Sequence, residues 1–200
     1  MTPSLIIFLH GVGSRGDDFT QLAQIWQQRW PNTHFAMPNA PWPFNYGGGY
    51  QWFSVDGVTE NNRLERIVAA RAAFDQTIAQ IMAQHGLADR PRQVVLVGFS
   101  QGSIMALDTV ASGRSRYGAI VDFSGRLVPP AAAQFALDTP VALIHGDADN
   151  VIPWQESERA QHALQQAGVD SELHVLPGLG HSLSATGVSL AETFITRVGH

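Results

Sequence analysis

The stretch Gly98-Phe99-Ser100-Gln101-Gly102 follows one apolar run, Val94 to Val97, and leads into another, Ile104 to Leu107. A serine hydroxyl is a weak nucleophile until a neighbouring base takes its proton. Gly-x-Ser-x-Gly is the spacing of a nucleophile elbow, in which the serine stands on a strained bend between a strand and a helix. The flanking positions lie across that bend from one another and have no room for side chains. A plain glycine turn is the competing reading. The strand-like run before the serine and the helix-capable run after it favour the elbow.

The base should lie at another strand end. Among the 8 histidines, His181 stands out in Pro177-Gly178-Leu179-Gly180-His181-Ser182, between the last strand-like run and the last helical one. Open α/β sheets place their sites at such carboxyl-terminal strand ends. An orienting acid belongs between Ser100 and His181 in the chain, because Ser…Asp…His is the order of elbow hydrolases. Asp149 and Asp147 both follow the run 141–145. Asp149 is the choice and Asp147 the runner-up, since an Asp also braces its own turn readily. Asp122 falls inside a strand-like run and reads as structural. A tetrahedral intermediate needs backbone N–H donors. One should come from Gln101, the residue after the serine. The second should come from the glycine-spaced loop after the first strand, at Val12. For Gln101 the backbone N–H, not the side chain, is the part expected to matter. Two other chemistries fit the same loops less well. A phosphate loop lacks the Gly-Lys-Ser/Thr that would hold the nucleotide, and His10 and His145 lack the spaced partners of a zinc site.

These residues need a frame. Strand-like runs cover 5–9, 34–37, 94–98, 119–123, 141–145 and 172–176. Helical periodicity falls between several of them. Phe19, Leu22, Ile25 and Trp26 follow Asp17 and Asp18, which can cap, and stop before Pro31. A second stripe runs from Leu64 to Met82 and includes Arg71, with Gly86 as its stop. A third covers 153–167 before Gly168, and a fourth runs from Leu190 to Val198. Alternating strands and helices predict an α/β fold, a doubly wound, mostly parallel sheet of about six strands with helices on both faces. The expected order 2-1-3-4-5-6 sets the first and third strands side by side, so the Val12 loop and the elbow flank the switch point. The whole chain, 1–200, reads as one domain.

Composition narrows the function classes. The net charge is −5 with 12 Lys+Arg and no basic run, which argues against nucleic acid as a partner. Cysteine is absent, so disulfides, thiolate metal sites and a cysteine nucleophile are excluded. No segment is apolar for long enough to span a membrane. The start of the chain lacks a basic region and a cleavage site, and the expectation is a cytoplasmic protein.

Residues 38–62 carry neither period. Trp42, Phe44, Tyr46, Tyr50, Trp52 and Phe53 lie there, a third of the chain's 5 Trp, 3 Tyr and 10 Phe, around a Gly47-Gly48-Gly49 tip. They read as an aromatic flap over the serine, with Trp42, Tyr50, Trp52 and Phe53 as substrate-binding residues. A small satellite core that pins the loop is the alternative. Asn61 or Asn62 should cap the following helix, and Arg63 should brace the loop through a carboxylate.

Taken together, Leu9-His10-Gly11-Val12-Gly13, Gly98-Phe99-Ser100-Gln101-Gly102, His145-Gly146 with Asp149 and Pro153, and Gly180-His181 resemble the phospholipase/carboxylesterase branch of the α/β-hydrolases, which includes acyl-protein thioesterases. The stretch from Gln51 to Arg63 is similar to that of a subgroup of small bacterial esterases. The resemblance covers nearly the whole chain. It implies a Ser100–His181–Asp149 triad, an oxyanion hole at Val12 and Gln101, and no cofactor or metal. Two departures stand out. Family members often begin with an extra strand, so one sheet edge should be trimmed here. The thioesterases carry Trp-Phe-Asp where this chain has Trp52-Phe53-Ser54. The expected activity is therefore a serine carboxylesterase for small or short-to-medium acyl esters. Acyl-protein thioesterase or lysophospholipase activity is the alternative, and a non-catalytic binding protein is the alternative of another class. The expected partner is a small-molecule ester, with a homodimer left open.

Overall fold

In the computed structural model, which describes residues 2–199, the strands that carry the site form one six-stranded parallel sheet. They are β1 (Leu5–Leu9), β2 (His34–Ala36), β5 (Val94–Phe99), β6 (Ala119–Phe123), β7 (Val141–Gly146) and β8 (Ser171–Leu176). Their order is β2-β1-β5-β6-β7-β8, the order expected from the sequence. The chain winds outward from β1 in both directions, so the switch point falls between β1 and β5. Register pairs Leu9 with Gly98 there, which brings the Val12 loop beside the elbow. With β2 and β8 as its outermost strands, the sheet has no strand before β1 among the described residues.

Alternate strand residues serve two cores, as the two-residue side-chain period requires. Leu5, Ile7, Leu9, Leu96, Ile120 and Leu143 face α2 (Arg63–Gln84), α3 (Gln101–Ser112) and α4 (Gln155–Ala167). Ile6, Phe8, Val97, Val121 and Ile144 face α1 (Thr20–Arg29) and α5 (Ala185–Val198). Every β1 residue is fully buried. From Gln101 to Ala111, α3 is buried throughout, so the elbow stands on the most enclosed helix of the fold.

Several elements differ in detail from the sequence expectation. Strand β5 runs one residue further, to Phe99, because Phe99 still pairs with Phe123. Likewise β7 reaches Gly146, paired with Leu176. Ile25 is 57% exposed instead of core, since the large cleft described below opens beside α1. Arg71 belongs to the buried stripe of α2 for a polar reason: it binds Asp108 with two 2.8 Å hydrogen bonds, and Arg114 joins the same carboxylate at 2.6 Å. Residues 38–62 are not wholly irregular. Strands β3 (Trp42–Pro43) and β4 (Tyr50–Gln51) form a short antiparallel hairpin closed by Phe44 N–H to the Gly49 carbonyl at 2.9 Å.

Candidate active site

Ser100 has φ 53°, an unusual value for a residue with a Cβ. The main chain holds it there. Its N–H donates to the Phe123 carbonyl at 2.9 Å, and its carbonyl accepts the Ile104 N–H at 3.0 Å to start α3. The glycines on either side answer a steric need. A Cβ on Gly98 would lie 2.5 Å from the Ser103 nitrogen, and one on Gly102 would lie 2.1 Å from the Leu9 oxygen. Such a backbone costs about 1–3 kcal/mol and persists only where its surroundings enforce it.

His181 Nε2 lies 2.9 Å from Ser100 Oγ, and its Nδ1 lies 2.6 Å from Asp149 Oδ2. The loop bearing His181 is locked to the loop bearing the acid. Ala148 N–H donates to the Leu179 carbonyl at 3.0 Å, and Asp147 Oδ1 accepts the Gly178 N–H at 2.6 Å. Asp147 is exposed and braces the His181 loop, while Asp149 meets the imidazole. Phe99 packs against the His181 ring with centroids 4.9 Å apart.

Asp149 is 8% exposed. Burial alone would raise its pKa. Hydrogen bonds from His181, Ile152 and Val151 outweigh that cost and hold the carboxyl below its ordinary value. His145, at the end of β7, buttresses this acid. Its Nε2–H donates to the Ile152 carbonyl at 2.8 Å and stands 3.2 Å from Asp149 Oδ2, while Nδ1 accepts from Ser157 Oγ at 2.7 Å. His10 braces the loop after β1 on the other side of the site. Nε2 accepts the Ala40 N–H at 2.9 Å, so the proton sits on Nδ1 and is donated to the Gly11 carbonyl at 2.7 Å. Burial pushes both histidines below their ordinary pKa and favours the neutral form. Neither supportive role was read from the sequence. The available signal was a histidine directly before glycine at the end of a strand, twice.

The amide groups of Val12 and Gln101 donate to no protein acceptor among the described residues, whereas their neighbours are anchored. Gly13 N–H donates to the Tyr50 carbonyl and Tyr50 N–H to the Ser14 carbonyl, both at 2.8 Å. The loop after β1 is thus an extra rung on β4.

The Gln101 side chain, set aside in the sequence reading, spans the site. Its Oε1 accepts the Trp52 N–H at 2.7 Å, and its Nε2 donates to the Phe53 carbonyl at 2.8 Å. Trp52 Nε1 in turn donates to the His10 carbonyl at 2.9 Å.

The four aromatic residues expected to bind substrate separate in space. Phe53 lines the groove that contains Ser100. Trp52 is 1% exposed and packs on Phe74 in the core, so its ring faces no open groove. Tyr50 joins the site through its backbone. Trp42 is exposed and lines a second cleft with Gln51 and Arg66, which Phe53 also borders. The satellite-core reading therefore describes Trp52, while Phe53, also buried in that core, borders the Ser100 groove. Asn62 does not cap α2 as expected. Its side chain turns back to accept the Thr59 N–H at 2.7 Å and donate to the Gly57 carbonyl at 3.0 Å. Nor does Arg63 brace the loop through a carboxylate. Arg66 does that work, with 2.7 Å hydrogen bonds to the Ser54 and Asp56 carbonyls.

Two cavities meet at the triad. A groove of about 220 Å³ contains Ser100, Gln101 and Val12, with Phe53, Val58 and Ile104 on its walls. A wider cleft of about 700 Å³ lies on the His181 side, between Phe19, Leu22, Phe99, Leu183 and Val188. No described helix is long and apolar enough to cross a membrane.

Known proteins share this arrangement of chain. A sequence family described as Phospholipase/Carboxylesterase matches residues 2–198. Esterase YpfH of Escherichia coli (strain K12) is 31% identical over 188 residues, 94% of this chain and 79% of that protein. Acyl-protein thioesterase 1 of Neurospora crassa is 28% identical, over 96% of this chain and 85% of its own length. The crystal structure of esterase PE8 superposes with a TM-score of 0.90 at 38% identity, covering 98% of this chain and 93% of that one.

Proposed function

Because the chain belongs to the phospholipase/carboxylesterase family, a family of carboxylic ester hydrolases, we propose that it hydrolyses small carboxylic esters through Ser100, His181 and Asp149. The continuous hydrogen-bonded line from Ser100 Oγ through His181 to Asp149, at 2.9 and 2.6 Å, carries this reading. His181 Nε2 takes the hydroxyl proton as Ser100 Oγ bonds to the ester carbonyl carbon. The carbonyl oxygen becomes an anion, received by the free N–H groups of Val12 and Gln101. Asp149 holds the proton-bearing Nδ1 and stabilises the imidazolium. The intermediate then collapses. The carbon–oxygen bond to the alcohol breaks, and the alcohol leaves with the proton from Nε2. Water repeats the sequence on the acyl-enzyme and releases the acid.

The two cavities divide the substrate. A leaving oxygen must face His181 Nε2 to receive its proton, so the alcohol lies in the cleft of about 700 Å³ on that side. The acyl group then enters the groove of about 220 Å³ beyond Ser100, a size that suits short-to-medium chains. Kinetics with a graded series of acyl esters and thioesters, together with fluorophosphonate labelling, test the proposal. Ester turnover should fall by about 10⁵-fold or more in Ser100→Ala, with loss of the label. An unlabelled wild-type Ser100 would instead support a binding protein. Thioesters cleaved far faster than esters would support the thioesterase alternative.

A further inference from the structure

The groove assigned to the acyl group has an unexpected charge balance. Two of its lining residues are arginines, Arg63 and Arg126, and none is acidic. Apart from Ser100 and Gln101, the rest are apolar. A groove built only for a hydrocarbon chain gains nothing from a guanidinium, which retains strong demands for acceptors when partly buried.

These demands are only partly met within the protein. The Arg63 side chain is half-buried and has no hydrogen-bond or ion-pair partner among the described residues. Arg126 is 15% exposed, and its Nε is shielded from solvent without a hydrogen bond. The nearest acid, Glu156, is 3.4 Å from that Nε but is also paired with Arg159. One negative charge is therefore shared between two cations, while Arg63 feels Glu60 and Glu156 without an ion pair to either. Arg63 also opens α2, where the helix dipole adds positive potential. Burial, and then the charge of Arg126, lower the Arg63 pKa from its ordinary high value, and the opposing pull of Glu60 and Glu156 is the weaker effect.

We propose that Arg63 and Arg126 form an anion-recognition subsite at the acyl end of the groove, selecting esters whose acyl chain carries a carboxylate. This inference rests on the esterase reading and on the assignment of the acyl group to this groove. A volume of about 220 Å³ matches roughly seven waters' share of liquid, room for a short dicarboxylic half-ester. Arg is suited to the task because its planar fork can grip both oxygens of a carboxylate. The carbonyl reacts at Ser100, and the distal carboxylate takes no part in bond making.

The test compares kcat/KM for monomethyl glutarate with that for methyl hexanoate, an uncharged ester of similar length, by titrating released acid. Wild-type protein should prefer the charged ester, and the preference should shrink as salt screens it. Arg63→Gln and Arg126→Gln should each lower the ratio of the two by about 10- to 100-fold, the loss of one charge-assisted contact. A second pair, 4-carboxyphenyl acetate and phenyl acetate, moves the charge to the leaving group and should show no such dependence on either arginine. The proposal is overturned if wild type favours methyl hexanoate, if Arg63→Gln leaves the ratio unchanged, or if the arginines act on the leaving-group pair. Loss of all four activities together with loss of Ser100 labelling would strike the esterase reading instead. The wild-type ratio needs no variant, so it stands even if a substitution impairs folding.

Discussion

Replacing Gln101 by methionine isolates what its side chain does. Methionine has nearly the same length and keeps the backbone N–H at the oxyanion position. It removes both hydrogen bonds, those to Trp52 N–H at 2.7 Å and the Phe53 carbonyl at 2.8 Å. Gln101, Trp52 and Phe53 are buried at 3%, 1% and 6% exposure, so water does not readily replace the lost partners. Each orphaned backbone group costs about 1–3 kcal/mol, and two partly relaxed ones together cost about 2–4 kcal/mol. For a chain of this size that lowers Tm by roughly 4–16 °C. Calorimetry or a denaturant titration measures the stability, and hydrogen exchange at the Trp52 amide shows whether the loop has been released. Gln101→Glu adds a control of known sign. Its carboxylate can still accept from Trp52 but would face the Phe53 carbonyl, so its folded pKa should lie above its unfolded one. That variant should lose stability as pH rises through the folded pKa. A methionine variant that melts within about 1 °C of wild type, with unprotected exchange at Trp52 in both, would refute the clamp.

The two aspartates of the β7 loop should separate cleanly. Asp149→Ala should lower kcat by about 10⁴-fold, whereas Asp147→Ala should cost about 1 kcal/mol of stability and far less activity, as kinetics and melting on both will show. Asp122 should give the protein a pH-dependent stability. Its carboxyl is fully buried beneath the elbow, and neither oxygen has a hydrogen-bond partner among the described residues. Burial, the dominant effect, pushes its pKa up to about 7 from 3.8. The folded state therefore holds a proton that the unfolded chain has released between those values, and stability falls as pH rises through that window. Asp122→Asn should flatten that slope, whose full size is roughly 4 kcal/mol, and parallel denaturant titrations at pH 4 and pH 8 will measure it.

Much of the fold and of the Ser100–His181–Asp149 arrangement was legible in the sequence because the signals are local. The near-continuous apolar runs of β1, β5, β6 and β7 marked strands covered on both faces, and all four lie where expected. The elbow could be read because two glycines, a serine and their flanks record a clash that any side chain would cause. His181 and the two aspartates were found by their place after strands and their order along the chain. Long-range hydrogen bonding was not legible in this way. Nothing within the sequence near Gln101 reveals that its amide meets a backbone 48–49 residues away. Arg63 and Arg66 could have exchanged roles without changing the local pattern of charge and polarity.

Composition and spacing by themselves thus determined an α/β chain with a serine on a strand-to-helix elbow, and singled out a histidine and an acid at neighbouring strand ends. Only the tertiary structure decided which aspartate meets the imidazole, which aromatics are core and which face the groove, and that two arginines line that groove with no acid in its lining. The physical reason is distance. Strand period and elbow sterics act over a few neighbours, whereas partner choice for a buried polar group depends on segments that only the folded sheet brings together.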